Sequence, residues 1–88
     1  MTITTNSIAV STVAVSLLSS SATRKKVTIK NTSTTKTAYI GGTSSLTSAN
    51  GMPVYYGDSF VCNDYTGDIY GICGAGDSAT IVVIEEAL

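Results

Sequence analysis

The chain has no histidine and no tryptophan, a single proline, a single phenylalanine and only two cysteines. Without histidine, the commonest general base, nucleophile partner and metal ligand are missing together. The serines and threonines then have no imidazole to activate them, and no motif for Ser-Lys chemistry is present. The expectation is therefore a protein without catalytic residues, without a cofactor and without a metal site. Charge is scarce too: 5 Lys and Arg stand against 6 Asp and Glu, for a net charge of −1. Nucleic-acid binding calls for clustered cations with aromatic platforms, and the composition supplies neither. The one basic cluster, Arg24-Lys25-Lys26, reads as a solvated strand edge that guards against aggregation. Cys62 and Cys73 lack CxxC spacing, and a short secreted chain that leans on disulfides carries more of them. They read as buried free thiols in strands, with one disulfide as the alternative. Long apolar runs are also missing. The longest candidate, IAVSTVAVSLL from Ile8, is interrupted by Ser and Thr, has no basic residue ahead of it, and is too short to cross a membrane.

What the sequence does hold is 43% hydrophobic residues against 12% charged ones, spread over 88 positions. That length fits one small domain, and a chain so short buries only ~60–65% of its unfolded surface. Few charges must then cover a large relative surface, so part of that surface is expected to be hidden against other chains in a homo-oligomer.

The period is that of β-structure throughout. In RKKVTIKN, Val27 and Ile29 share one face while Lys26, Thr28 and Lys30 share the other. The polar run Asn31 to Lys36 follows, then Thr37-Ala38-Tyr39-Ile40 and a stop at Gly41-Gly42. The simplest reading of Arg24 to Gly42 is a long-looped β-hairpin. Upstream, Ile8 and Val10 have one parity and Val13, Val15 and Leu17 the other, which predicts a bulge or two short strands around Ser11-Thr12. Residues 1–7, MTITTNS, read as a flexible N-terminal arm, leaving 8–88 as a single β domain. Downstream, Leu46 is an isolated apolar anchor. Asn50-Gly51 is a turn signal that ordinarily requires positive φ. Pro53 marks an edge or a connector, and Val54-Tyr55-Tyr56 a brief strand. Ser59–Asn63 and Ile69–Cys73 read as strands joined by a five-residue hairpin loop, with a further turn at Gly74–Ser78. The closing strand carries four consecutive β-branched residues, Ile81, Val82, Val83 and Ile84. These predict burial on both faces, one of them in an oligomer interface. No stretch keeps a 3.6-residue period. The expected fold is all-β: a small β-sandwich or barrel, jelly-roll-like, of about seven or eight short strands.

Two constellations invite a functional reading. Asp58, Asp64, Asp68 and Asp77 all lie in Gly-marked turns, yet their spacing matches no calcium loop, and backbone hydrogen bonding in turns explains them. Among the tyrosines, Tyr55 and Tyr56 are adjacent and so point to opposite faces of a strand, which makes a poor sugar platform. Asn31-Thr32-Ser33 matches a glycosylation sequon and is read as a chance match.

The order of KVTIKNTSTTKTAYIGG, SLTSANGMPV, YYGDSF, DIYGI and GAGDSATIVVIEE resembles that of small bacteriophage virion proteins. The resemblance covers residues 25–85. It implies a non-enzymatic capsid decoration, cement or head-fibre-base protein, often trimeric, assembled in the host cytoplasm and carried on the capsid surface. Its partners would be itself and the major capsid protein or another virion protein, with no nucleic acid and no membrane. Shell contacts are expected in the arm of residues 1–7 and in the polar run Asn31, Thr32, Ser33, Thr34, Thr35 and Lys36. The alternative is a small carbohydrate- or receptor-binding module of a phage tail or fibre.

Overall fold

A computed structural model describes all 88 residues. Eight strands and no helix are formed: β1 (Thr2–Val10), β2 (Val15–Leu18), β3 (Arg24–Asn31), β4 (Ala38–Gly41), β5 (Met52–Val54), β6 (Ser59–Asn63), β7 (Ile69–Cys73) and β8 (Ala79–Ala87). They make two four-stranded antiparallel sheets, in the orders β1-β8-β3-β6 and β2-β7-β4-β5. The fold is a β-sandwich with open edges, not a closed barrel. Only β4 and β5 are consecutive in sequence and paired; every other link crosses between sheets. Pairing is nested, β1 with β8, β2 with β7, β3 with β6 and β4 with β5. The chain is thus one long hairpin, folded over on itself about the 42–51 loop. That strand order is the jelly roll.

The core follows from the alternation. Val27 and Ile29 of β3, Ile81 and Val83 of β8 and Val10 of β1 face Leu17, Ile69, Cys73, Ala38, Ile40 and Val54 of the other sheet. Each fully buried Val or Ile contributes about 1.5–3 kcal/mol relative to exposure. The molecule is 16 Å across its thinnest axis, as two sheets stacked about 10 Å apart require.

Several expectations need correction. Arg24–Gly42 is not a hairpin, because β3 lies in one sheet and β4 in the other. The same holds for β6 and β7, whose five-residue connection also changes sheets. Period-two alternation fixes which face a residue takes but says nothing about its partner strand. Residues 1–7 are not a loose arm: β1 begins at Thr2 and pairs in unbroken register with β8, from Thr2↔Ala87 to Val10↔Ala79. Three β-branched Thr and an Ile favour an extended backbone there, while the segment's polar side chains stay exposed beyond the second sheet. Gly51 is not among the residues of positive φ, which are Gly57, Asp64 and Gly76. Gly51 is needed for space instead, since a Cβ there would lie 2.7 Å from the Tyr39 Cβ and 3.0 Å from Leu46 Cδ1. Leu46 is buried and plugs the tip of the long hairpin, as an anchor should. Pro53 sits in β5, the three-residue edge strand of its sheet, where a missing N–H costs no ladder bond.

The crossovers are held by two buried polar side chains. Asn31, fully buried, donates from Nδ2 to the carbonyls of Lys36 (2.8 Å) and Val54 (2.9 Å) and accepts from the Ser33 N–H through Oδ1. Its backbone is engaged as well, with its N–H on Asp58 O and its C=O on the Gly57 N–H. One amide thereby ties β3, the β3–β4 crossover and β5 together. Asn31→Ala should orphan two carbonyls and one N–H, lowering the unfolding free energy in urea titration by about 2–4 kcal/mol. Asn31→Asp should do no better, because a carboxylate has no proton to donate to those carbonyls. A loss below about 0.5 kcal/mol, the level of an ordinary surface change, would contradict this role.

Arg24 is the second, and the reading of residues 24–26 as a solvated edge fails at this residue. Lys25 and Lys26 are exposed, whereas Arg24 is 1% exposed. A register irregularity between Arg24 and Lys26 places Arg24 opposite Ala87 and turns its side chain inward. Its Nε donates to Glu85 Oε2 at 2.6 Å. Nη1 reaches the carbonyls of Gly67 (2.8 Å) and Tyr65 (3.3 Å), and Nη2 reaches that of Ser19 (2.5 Å). The guanidinium fork supplies enough donors for all four acceptors.

Candidate functional site

The β1-β8-β3-β6 sheet has the longer strands of the two, and its outer face is covered by no further layer. Register sets its rows. Thr5, Ile84, Thr28 and Val61 lie side by side across all four strands. Ser7, Val82, Lys30 and Ser59 form the row on one side of it, and Ile3, Glu86, Lys26 and Asn63 the row on the other. In the central row Ile84 is 39% exposed and Val61 47%, alternating with Thr5 and Thr28, and Ile3 in the flanking row is 64% exposed. Lys26, Lys30 and Glu86 flank it with charge of both signs.

This arrangement divides the predicted interface strand. Ile81 and Val83 are 0% and 1% exposed and belong to the core, so they cannot contact another chain. Val82 and Ile84 lie on the outer face and remain available. Two-sided burial of β8 does not occur within the single chain, because the second sheet covers only one side.

The predicted shell-contact run divides in the same way. Asn31 is fully buried and structural, while Thr32, Thr34, Thr35 and Lys36 are exposed and Ser33 half-buried. With Asn31 in the interior, its sequon amide is not reachable from solvent in the folded protein. Thr32 Oγ1 donates to Thr80 O at 2.7 Å, and Ser33 Oγ accepts from the N–H groups of Thr35 and Lys36. Lys36 Nζ stands 3.2 Å from Asp77 Oδ1 at the surface, a pair worth at most about 1 kcal/mol. Beside this loop runs a shallow groove of about 370 Å³, lined by Ala9, Thr32, Ser33, Thr34, Ser78, Ala79 and Thr80. Hydroxyl groups dominate it and no aromatic ring enters it.

A feature the sequence reading missed lies at the opposite edge, where β5 and β6 part. A cavity of about 300 Å³ is bounded by Ile40, Met52, Phe60, Cys62, Tyr65 and Ile69 with Gly41 and Gly42. No charged side chain lines it, so it suits an apolar group and offers no acid-base chemistry. Its volume is at the small end for ligand pockets, about 300–1,000 Å³. No sequence signal marks it, because its walls come from four separate strands and two loops. Tyr65, on the rim of this cavity, donates its hydroxyl to Asp68 O at 2.8 Å and rests against the Gly67 backbone.

Both cysteines are free thiols in strands, but of the burial expected for both only Cys73 has it, Cys62 being partly exposed. Cys73 is buried, its Sγ 3.7 Å from Val10 O. Burial, aided by the nearby Asp77 carboxylate, pushes its thiol above the ordinary value of 9.0. Because the folded pKa is raised, the stability linked to the neutral thiol is complete below about pH 9 and is lost as pH rises beyond it. In native protein at pH 8, iodoacetamide should alkylate the half-exposed Cys62 well ahead of Cys73. Equal rates by mass spectrometry would contradict the burial of Cys73. Asp58, Asp64, Asp68 and Asp77 stay in their turns, and no three metal-ligating side chains converge anywhere in the chain. Compared with known protein families and with curated proteins, the chain matches none.

Proposed function

We propose that the chain is a non-enzymatic structural protein of a bacteriophage virion, a decoration or cement protein that binds the capsid surface and braces neighbouring shell subunits. The observation that carries the reading is the Thr5–Ile84–Thr28–Val61 row. It is a strip in which exposed Ile84 and Val61 alternate with Thr5 and Thr28, flanked by a few charges, on a chain otherwise poor in them. Such a strip is suited to a wide, flat contact in which its aliphatic groups are desolvated and the Lys and Glu form a polar rim. The resemblance of residues 25–85 to small virion proteins supports the same reading. The jelly-roll order supports it less selectively, since viral capsid and lectin domains both use it.

The carbohydrate-binding alternative has one observation in its favour, the hydroxyl-lined groove beside Thr32–Thr34. It lacks the aromatic platform on which sugar rings stack. The test takes gradient-purified virions of the phage that encodes the chain and removes the protein by gene deletion. The deletion particles should lose heat stability, and added protein should restore it along a saturable binding curve. Unchanged particle stability together with specific binding on a glycan array would replace this reading with the alternative.

A further inference from the structure

The two sheets have four free edges, and three of them are guarded. β5 is three residues long and contains Pro53. β2 is four residues long and its register is broken between Ser16 and Leu18. β6 is five residues long and lies between Asp58 and Asp64 in the sequence, the latter turning the backbone away at φ 62°. Short length, Pro, irregular register and flanking charge are the usual devices against strand-to-strand association. The fourth edge, β1, has none of them. It is nine residues long, in continuous register, with no Pro and no charged residue. Its only cover is one side-chain contact: Asn6 Oδ1 accepts the Ser7 N–H at 2.9 Å.

That contact also shows which backbone groups are free. The Ser7 N–H, bonded to its neighbour's side chain, is directed away from β8. Alternation along an antiparallel strand then turns the N–H and C=O of Ile3, Thr5, Ser7 and Ala9 to the open edge. We propose that β1 is a self-pairing edge, joining antiparallel to the β1 of a second copy across a two-fold axis at Asn6. The two four-stranded sheets thereby become one continuous eight-stranded sheet.

The side chains identify the partner and the register. Centred on Asn6, the pairing sets Ile3 against Ala9, Thr5 against Ser7, Thr4 against Ile8 and Asn6 against Asn6. Apolar meets apolar and hydroxyl meets hydroxyl on the outer face, and the two amides can bond each other. Shifting the centre to Thr5 would set Ile3 against Ser7 and Thr4 against Asn6, losing these matches. Because β1 carries no charge, self-juxtaposition costs no like-charge repulsion. An isologous contact of this kind closes at two copies, where the resemblance to virion proteins implies a trimer. It stands independently of the virion reading.

Engineered cysteines in a Cys62→Ser background read the register directly. The Asn6 pair occupies a non-hydrogen-bonded site, where opposed Cα atoms lie about 4.5 Å apart, within disulfide reach. Asn6→Cys should therefore oxidise to a covalent dimer of the full chain, while Thr4→Cys and Ile8→Cys, each alone, should not. Thr5→Pro removes an outward N–H without touching the ladder to β8, so the variant should stay folded and sediment as a monomer. Should Pro disturb β1 itself, Ser7→Lys provides the same test, because it places two like charges diagonally across the two-fold axis on the outer face. A wild-type chain that sediments as a monomer at 100 μM, or a dimer that survives both Thr5→Pro and Ser7→Lys with no Asn6→Cys cross-link, overturns the proposal.

Discussion

Replacing Arg24 with alanine is expected to cost about 3–5 kcal/mol, the range for removing one partner of a buried ion pair. The change removes an ion pair to Glu85 and, with it, the donors to Ser19, Tyr65 and Gly67. In a domain of this size, 1 kcal/mol moves the melting temperature by roughly 4–8 °C, so the fall should be at least ~12 °C. A double variant separates the two contributions. Arg24→Met with Glu85→Leu replaces the ion pair by apolar groups, a change that is often neutral or stabilising for a simple buried pair. Here it should remain destabilised, since three carbonyls of the crossovers still lose their donor. Full recovery in the double variant would mean that the ion pair alone matters and that Arg24 is no latch for the loops.

The second large effect comes from neighbouring residues on β8. Val83→Lys should unfold the protein or bring it close to unfolding, because an unpaired ammonium in the core costs about 4 kcal/mol or more against a total stability of about 4–13 kcal/mol. Ile84→Lys, one residue along, should leave the melting temperature within a few degrees. Its side chain points outward, and surface changes of this kind stay within about 0.5 kcal/mol. Circular-dichroism melts of the two variants check the orientation of β8. If both unfold, the outer face is not a surface; if neither does, Val83 is not in the core.

Much of this architecture is legible in the sequence, and what is not has definite causes. Most strands after residue 8 announce themselves by β-branched alternation or a bounding turn, although β5 is Met52–Val54 rather than Val54–Tyr56, and the phase slip at Ser11-Thr12 marks the place where β1 leaves its sheet and β2 enters the other. Partner choice is a different matter. Nested pairing of β1 with β8 and β2 with β7 joins residues more than fifty positions apart, and local pattern carries no information about it. Arg24 looks like the first member of a solvated basic cluster because an inward turn at a register irregularity has no sequence signature. Asn31 looks like loop for a related reason, since its amide is read as turn chemistry until the carbonyls of Lys36 and Val54 are found around it. Of the candidate surfaces, Val82 and Ile84 could be found from the run of β-branched residues, but assigning Ile81 and Val83 inward required knowing which sheet faces β8. The free edge of β1 could have been suspected from a nine-residue uncharged stretch of Thr, Ile and Ser, had it been taken as a strand.

The most direct measurement mixes wild-type or Ile84→Lys protein with capsids that lack this protein, sediments the particles, and quantifies what travels with them across a concentration series. The wild type should bind saturably, and Ile84→Lys, folded and of equal melting temperature, should stay in the supernatant. Equal binding by the two proteins would remove the outer face from the contact, and no binding by the wild type would contradict the capsid reading itself.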